Sequence, residues 1–378
     1  MKCLTIGSAT IDTIAIIASD RIERMSMLNA DTSFLLLKEG SKTEATEVST
    51  HTGGGAVNAA VGMSRLGFDA GALVKLGKDA RAETVLARLM AEGVSTRWAL
   101  RDGRAPTGAS VMISSHDRNA AVFTFRGANT LLEPGDLKDE AFAVDVVYVA
   151  SLSNESAECF PAIIAKAKAA GALVTANPGP RQLAARGYAF ERCLSQIDVL
   201  SINLAEAEVL LPSLIARFGE GGAGIDGDNL PRLAERGLTG SGFHMSLRAF
   251  MSALRSMGSR HLLLTDGMDG AYLATRDQML YCPALKVPVA GTAGAGDAFT
   301  STFASFIAFG RTPDEALRAA SINAASVVGY VDTQTGLLQR SELEARVAAK
   351  SRELPIRRWH LAAPDGTGEV AALRRQPV

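Results

Sequence analysis

The chain has 378 residues, 47% of them hydrophobic and 21% charged, which is enough to bury one large core or two ordinary ones. Its formal net charge of −1 offers no general positive field to a nucleic acid or an anionic membrane surface, so an anionic ligand must be held by local devices. The sequence lacks the run of about 18 apolar residues that a membrane span needs, and the opening MKCLTIGSATID reads as a β-strand, not a secretion signal.

Taken in chain order, residues 4–6 form the first expected strand, and Asp12 follows it. Open α/β sheets bind ligands at carboxyl ends of strands. A carboxylate there either accepts paired hydroxyls, as a sugar requires, or closes a turn. Residues 14–17 with 33–50, and residues 107–125, read as antiparallel strands with polar alternation. Within the latter, VMISSHDRNAAVFTF forms a hairpin turning at 116–119. These stretches, at about 12–50 and 105–127, make a small β-sheet lid that is inserted in the sequence but separate in space from the main sheet. His51 and His116 belong to the lid surface. Arg126 lies near the junction of lid and core, where it either meets a substrate carboxylate or ends a strand in solvent.

Gly53, Gly54 and Gly55 precede a helix over 57–66. They let a substrate approach the backbone closely, or they form a hinge. A strand at 72–76 and a helix at 82–92 follow. The largely apolar strands at 146–150, 173–175, 199–202 and 262–264 alternate with helical patterns, which means a parallel sheet covered on both faces. Asn203 stands at the carboxyl end of its strand with Glu206 three residues on; the pair is either a site or a capping box. Residues 220–241, rich in glycine and charge, read as a surface insertion, and 355–378 as a poorly ordered or strapped-on tail. Cys3, Cys159, Cys193 and Cys282 show no CxxC pairing, which suits reduced, buried thiols in a cytoplasmic protein and no metal site.

The segment KVPVAGTAGAGDAFTSTFASFIAFG, from Lys286, carries the most chemistry. A strand at 287–289 leads into a glycine turn and then a helix over 297–309. Phe299, Phe303, Phe306 and Ile307 recur on one helical face. Gly294, Ala295 and Gly296 have no bulky side chains, so their N–H groups can wrap an anion at the positive helix end. Asp297 stands at the rim of that turn, either as a proton acceptor or as a helix cap. Neither a GxxxxGK[ST] loop nor a GxGxxG fingerprint after the first strand is present. Thr312, Pro313 and Glu315 start the next helix as a capping box.

These residues resemble the ribokinase family of PfkB-type carbohydrate kinases. The family's DTTGAGD signature stands here as GTAGAGDAF, Gly291 to Phe299, with Gly291 for the usual Asp and Ala293 for the second Thr. GGGAVNAAVGMSRLG from Gly53 is similar to the N-terminal Gly-Gly motif, NLAEAE from Asn203 to the NxxE element, and TDGMDGAY from Thr265 to the TxGxxG segment. RGAN at 126–129 and NPGP at 177–180 also fit, and the likeness covers roughly residues 2–338.

The resemblance implies a three-layer α/β/α core with a mainly parallel sheet and a small β-sheet lid, in one kinase domain over 1–354. It implies ATP-dependent phosphorylation of a hydroxyl, a primary one, on a sugar-like substrate. Asp297 is then the base, and Gly294, Ala295 and Gly296 form the anion hole. Asn203 and Glu206 support Mg²⁺ and its waters. Thr265, Gly267 and Gly270 contact the nucleotide, and Asn323 lies on the helix flanking the adenine pocket. Asp12, Gly53, Gly54 and Asn58 hold the sugar hydroxyls. Gly291 lacks the carboxylate that helps build the ion loop of potassium-activated members, which leaves K⁺ dependence undecided. Two rivals stand beside this reading. A nucleoside kinase of the same fold would want a more aromatic pocket than 6% aromatics suggest. A catalytically inactive, ligand-binding member is disfavoured by the intact GAGD. The exposed lid edge invites a homodimer.

Overall fold

The structure, a computed structural model, describes residues 1–18, 23–26, 33–36, 40, 42–115 and 120–361. The hairpin tip at 116–119, His116 with it, and the tail beyond 361 lie outside the described residues.

Strand β1 (Lys2–Gly7) is followed by β2 (Thr10–Ile17), the short strands β3 (Glu23–Ser26) and β4 (Ser33–Leu36), and β5 (Ala45–Gly53). Then come α1 (Gly55–Arg65), β6 (Asp69–Gly77), α2 (Ala80–Ala91), β7 (Ala99–Asp102), β8 (Gly108–Ser115) and β9 (Ala120–Phe125). The middle of the chain forms β10 (Val146–Val149), α3 (Phe160–Ala169), β11 (Leu173–Ala176), α4 (Pro180–Glu191), β12 (Val199–Asn203) and α5 (Leu204–Phe218). A short helix α6 (Arg232–Arg236), the hairpin β13 (Leu238–Gly240) and β14 (Phe243–Met245), α7 (Leu247–Ser256) and β15 (His261–Thr265) follow. The chain then runs through β16 (Ala271–Ala274), β17 (Gln278–Cys282), α8 (Ala295–Ala308), α9 (Pro313–Val327), α10 (Arg340–Lys350) and β18 (Arg357–His360).

Ten strands build one sheet in the order β18-β17-β16-β15-β12-β11-β10-β1-β6-β7. From β15 to β7 every pairing is parallel. The antiparallel strands β16, β17 and β18 extend one edge. Alternation along each strand sends neighbours to opposite layers. Val147, Val149, Leu200, Ile202, Leu262 and Leu264 pack with α3, α4, α5 and α7. Val146 and Tyr148 face α1 and α2, while Val199 and Leu263 face α8 and α9 through Phe299, Phe303 and Phe306. The expected three-layer architecture with a mainly parallel sheet is therefore observed.

The lid is a second, four-stranded sheet in the order β5-β2-β8-β9. Its outer pairings are antiparallel, as read from the sequence, but β2 and β8 run parallel in register from Thr10 with Gly108 to Ile17 with Ser115. The reason is connectivity: both strands leave the core in the same direction, with β6, α2 and β7 between them.

Two other stretches differ from the sequence reading, and the first part of the tail takes the strapped-on form of the two expected. Residues 287–289 form no strand: Pro288 in their middle has no N–H to give to a ladder. The stretch read as a surface insertion carries α6 and β13 and sinks Leu233 and Leu238 into the main core. Part of the tail forms β18, where Arg357 donates to the carbonyl of Asn229 at 2.5 Å and Arg358 pairs with Asp314.

Candidate active site

The site forms where the carboxyl ends of the parallel strands meet the lid. Strand β5 runs off the lid and enters α1 through Gly54 alone. An added Cβ on Gly53 would stand 1.9 Å from Oδ2 of Asp12, and one on Gly55 would stand 3.2 Å from Oδ1 of Asp297. The two carboxylates thus flank one glycine tripeptide, from the lid side and from the core side. Asp12 sits opposite His51 in the β2–β5 ladder and accepts a 2.6 Å hydrogen bond from the Ser110 hydroxyl. Burial raises its pKa above the ordinary carboxylate range, against the lowering effect of Ser110 and Thr10.

Helix α8 begins at the other side of this junction. Its N-cap is Gly294, at φ 79°, and no side chain caps it. A Cβ on Gly294 would lie 2.6 Å from that of Thr333, so glycine is required by both conformation and space. The first-turn N–H groups have no intrahelical partner and point outward. Asp297 lies in that first turn but does not cap it. Its Oδ2 accepts from Asn58 Nδ2 at 2.9 Å, and its Oδ1 lies 3.5 Å from the Tyr148 hydroxyl. Asp297 is half-buried. Burial pushes its carboxyl up to about 6 despite the bonds from Asn58 and Tyr148. It is thus a carboxylate held near neutrality, ionised at pH 7 and willing to take a proton.

Asn58 is fixed in turn. Its Oδ1 accepts from Thr333 Oγ1 at 2.8 Å and from Gln334 Nε2 at 3.1 Å. Gln334 also donates to the Thr52 carbonyl at 3.1 Å and accepts from Arg88 at 2.9 Å. These two side chains, and Tyr148, were missed in the sequence. The polar run Asp332-Thr333-Gln334-Thr335 after an apolar helix was the available signal, as was a tyrosine in the otherwise apolar β10.

A cleft of about 590 Å³ opens on the opposite side of the glycine turn. Thr265, Gly267 and Gly270 form one wall, Ala295 and Gly296 the floor, and Ser321, Ala324, Ala325 and Val328 of α9 and its end the other wall. Leu285 and Val289 close it with apolar surface, which is why the 283–290 stretch runs as a loop. The size and mostly apolar lining suit a nucleotide base and ribose. Asn323 takes no part: its side chain is fully buried, donating to Thr302 Oγ1 at 2.8 Å and accepting from the Leu338 N–H at 3.0 Å. It holds α9 against α8 and the chain after it, while its neighbours face the cleft.

Asn203 ends β12 in register with Thr265. It caps α5, with Glu206 reaching back: Glu206 N–H donates to Asn203 Oδ1 at 3.0 Å and Asn203 N–H to Glu206 Oε2 at 2.8 Å. The cap is real, yet it does not exhaust Glu206. Burial, helped by the nearby charge of Asp297 and opposed by the bonds from Asn203, pushes this carboxyl up to about 7. A buried carboxylate with only N–H partners, next to a second one, lacks a cation. None of the residues lining the cleft carries a charge, so phosphates there also lack one. Hard oxygen donors and absent lysines fit Mg²⁺ carried in by phosphates and water. A ready-made protein cage does not exist: among the described residues no three His, Cys, Asp or Glu side chains cluster around a metal site.

The glycine-turn helix, its half-buried carboxylate and the uncharged cleft coincide with a known family. The model of the pfkB family carbohydrate kinases matches residues 23–340. The chain belongs to the pfkB carbohydrate kinase family. It is 27% identical over 259 residues to a ribokinase of Staphylococcus aureus strain COL, covering 67% of this chain and 73% of that one. It is 26% identical over 325 residues to a deoxyribokinase of Salmonella typhi, covering 85% and 94%. Among solved structures, an Arabidopsis thaliana ribokinase complexed with ribose and ATP superposes with a TM-score of 0.65 at 20% identity, covering 91% of this chain and 97% of that one. As a member of that family the chain is a carbohydrate kinase, a phosphotransferase with an alcohol group as acceptor. Among its described residues no helix is long and apolar enough to cross a membrane.

Proposed function

We propose that this kinase transfers the γ-phosphate of ATP to a primary hydroxyl of a sugar, with Asp297 as general base. The observation that carries the reading is Asp297 itself. It stands in the first turn of an uncapped helix, between a nucleotide-sized cleft and the lid carboxylate Asp12, with its proton affinity raised.

The residues divide the work. Asp12 and the Gly53–Gly54 backbone hold sugar hydroxyls, and Asn58 fixes the orientation of Asp297. Asp297 takes the proton of the attacking hydroxyl at a carboxylate oxygen. The free N–H groups of Ala295, Gly296 and Asp297 stabilise charge on the transferred phosphoryl group. Thr265, Gly267 and Gly270 hold the nucleotide. Glu206, steered by Asn203, orients waters toward the phosphates. Asn203 and Glu206 would support Mg²⁺ through those waters, and the ion would supply charge neutralisation at the phosphates. A potassium requirement through the side chain at 291 is not expected, since Gly291 has none and its space is filled by the Tyr330 and Val331 carbonyls.

A sugar is favoured because Asp12 with Ser110 offers hydroxyl-binding polarity at the lid. Val48, Val111, Val122, Phe123 and Phe125 are exposed on the lid sheet, which supports a homodimer through the lids. Four free buried cysteines and the need for ATP support a cytoplasmic site of action.

The test is ADP release with a panel of sugars and nucleosides for wild type and Asp297→Asn. Turnover should fall at least about a hundredfold, the usual worth of a general base. Normal turnover with a folded D297N protein would refute the assignment.

A further inference from the structure

A second pocket, of about 120 Å³, opens at the carboxyl ends of β10 and β11, lined in part by Arg126, Ser151, Ser153 and Arg181. It adjoins the proposed base. Ala150, the residue before Ser151, has its Cβ 2.9 Å from the point where a Gly55 Cβ would stand, and Asp297 Oδ1 is 3.2 Å from that same point. A substrate lying on the Gly53–Gly55 strip therefore reaches the pocket with its far end.

The pocket holds positive charge with nothing to balance it. Arg126 is half-buried, and its one hydrogen bond goes from Nη1 to the Ser153 hydroxyl at 2.8 Å. Arg181 lies in the first turn of α4, whose N-cap is Gly179 and whose first turn has neither an acid nor a capping side chain. A cation at a helix N-terminus opposes the dipole. The two guanidiniums also oppose one another: burial first, then the charge of Arg181, lowers the pKa of Arg126. Among the described residues neither forms an ion pair, whereas Arg186, also in the pocket wall, is taken by Glu158. Like charges gathered around a cavity suit an oxyanion that two forked donors can share.

We infer that this pocket receives the anionic end of the sugar substrate, a carboxylate or a phosphate monoester, with Arg126 in its wall and Arg181 at its mouth. The inference takes the position of the substrate from the kinase reading above, but the pocket can be tested without turnover.

Three probes differ only at one terminal carbon: D-fructose, 2-keto-D-gluconate and D-fructose 1-phosphate. With saturating ATP, kcat/KM for one of the two anions should exceed that for fructose by at least about tenfold, chiefly through KM, and the advantage should shrink with added salt. Which anion leads identifies the source of the charge. Arg126→Gln with Arg181→Gln should abolish most of that ratio. A thermal shift without nucleotide gives the independent arm: the preferred anion should raise the melting temperature of wild type and not of the double variant. A shift that depends on the arginines with no ADP formed from any probe would leave the pocket standing and remove the kinase reading. Fructose used as well as both anions, an anion preference that survives both substitutions, or no anion-dependent shift would overturn the pocket and leave the kinase reading intact.

Discussion

On the proposed roles, Asp297 sets the acid limb of the pH profile. Asp297 must be ionised to accept a proton, and its carboxyl is held at about 6. A plot of kcat/KM against pH should therefore fall below about pH 6, well above the ordinary range of aspartate; a limb that stays flat to pH 4 would remove Asp297 from the proton path. Stability runs the opposite way. The folded-state pKa lies above the unfolded value, so the contribution of Asp297 is fully present below about pH 4 and is lost as pH rises through 6. The amide of the Asp297→Asn variant never ionises. The D297N protein should accordingly be more stable than wild type at pH 7–8, by about 1–2 kcal/mol once partial exposure is discounted, and the gap should close near pH 4. Denaturant titrations at the two pH values measure this. Glu206→Gln keeps an acceptor for the cap but removes the charge, so its activity should need several-fold more Mg²⁺ for half-saturation, read by titrating the metal at fixed ATP.

At the scale of elements, helix α8 is the part on which the others converge. Gly294→Ala forces a side chain into a left-handed conformation and against Thr333. A loss of about 1–3 kcal/mol in chemical denaturation, with a drop in turnover, is expected. Local chemistry made this element readable in advance: glycines, a carboxylate and an apolar helical face follow one another within a few residues. The same holds for Gly53–Gly55, the Asn203–Glu206 cap and the hydrophobic strands. Long-range placement was not readable. Tyr148, Thr333 and Gln334 reach the Asn58–Asp297 pair from distant parts of the chain, and their local signals, a polar run and a lone tyrosine in an apolar strand, do not say which residues they meet. Asn323 shows the converse error, because a polar residue on the right helix points at Thr302 and not at the cleft. The strand expected at 287–289 failed for a local reason: its valines favour extended backbone, but Pro288 between them removes a ladder donor.

At the scale of the whole molecule, the lid sheet is joined to the core by few connections and shows an apolar outer face. If lids pair across two copies, wild type should sediment as a dimer, and Phe123→Lys with its cross-strand neighbour Val111→Lys should yield a monomer that keeps its fold. Sedimentation velocity decides this, and a monomeric wild type would end the proposal. The passage from β5 to α1 has a mechanical corollary. One residue, Gly54, separates a lid strand from a helix whose first turn carries Asn58, and Asn58 grips the proton acceptor. That glycine is a pivot with a very short lever arm. Any swing of the lid would turn the beginning of α1 and pull on the amide that clamps Asp297, which on the proposed roles would tie arrival of the sugar to readiness of the base.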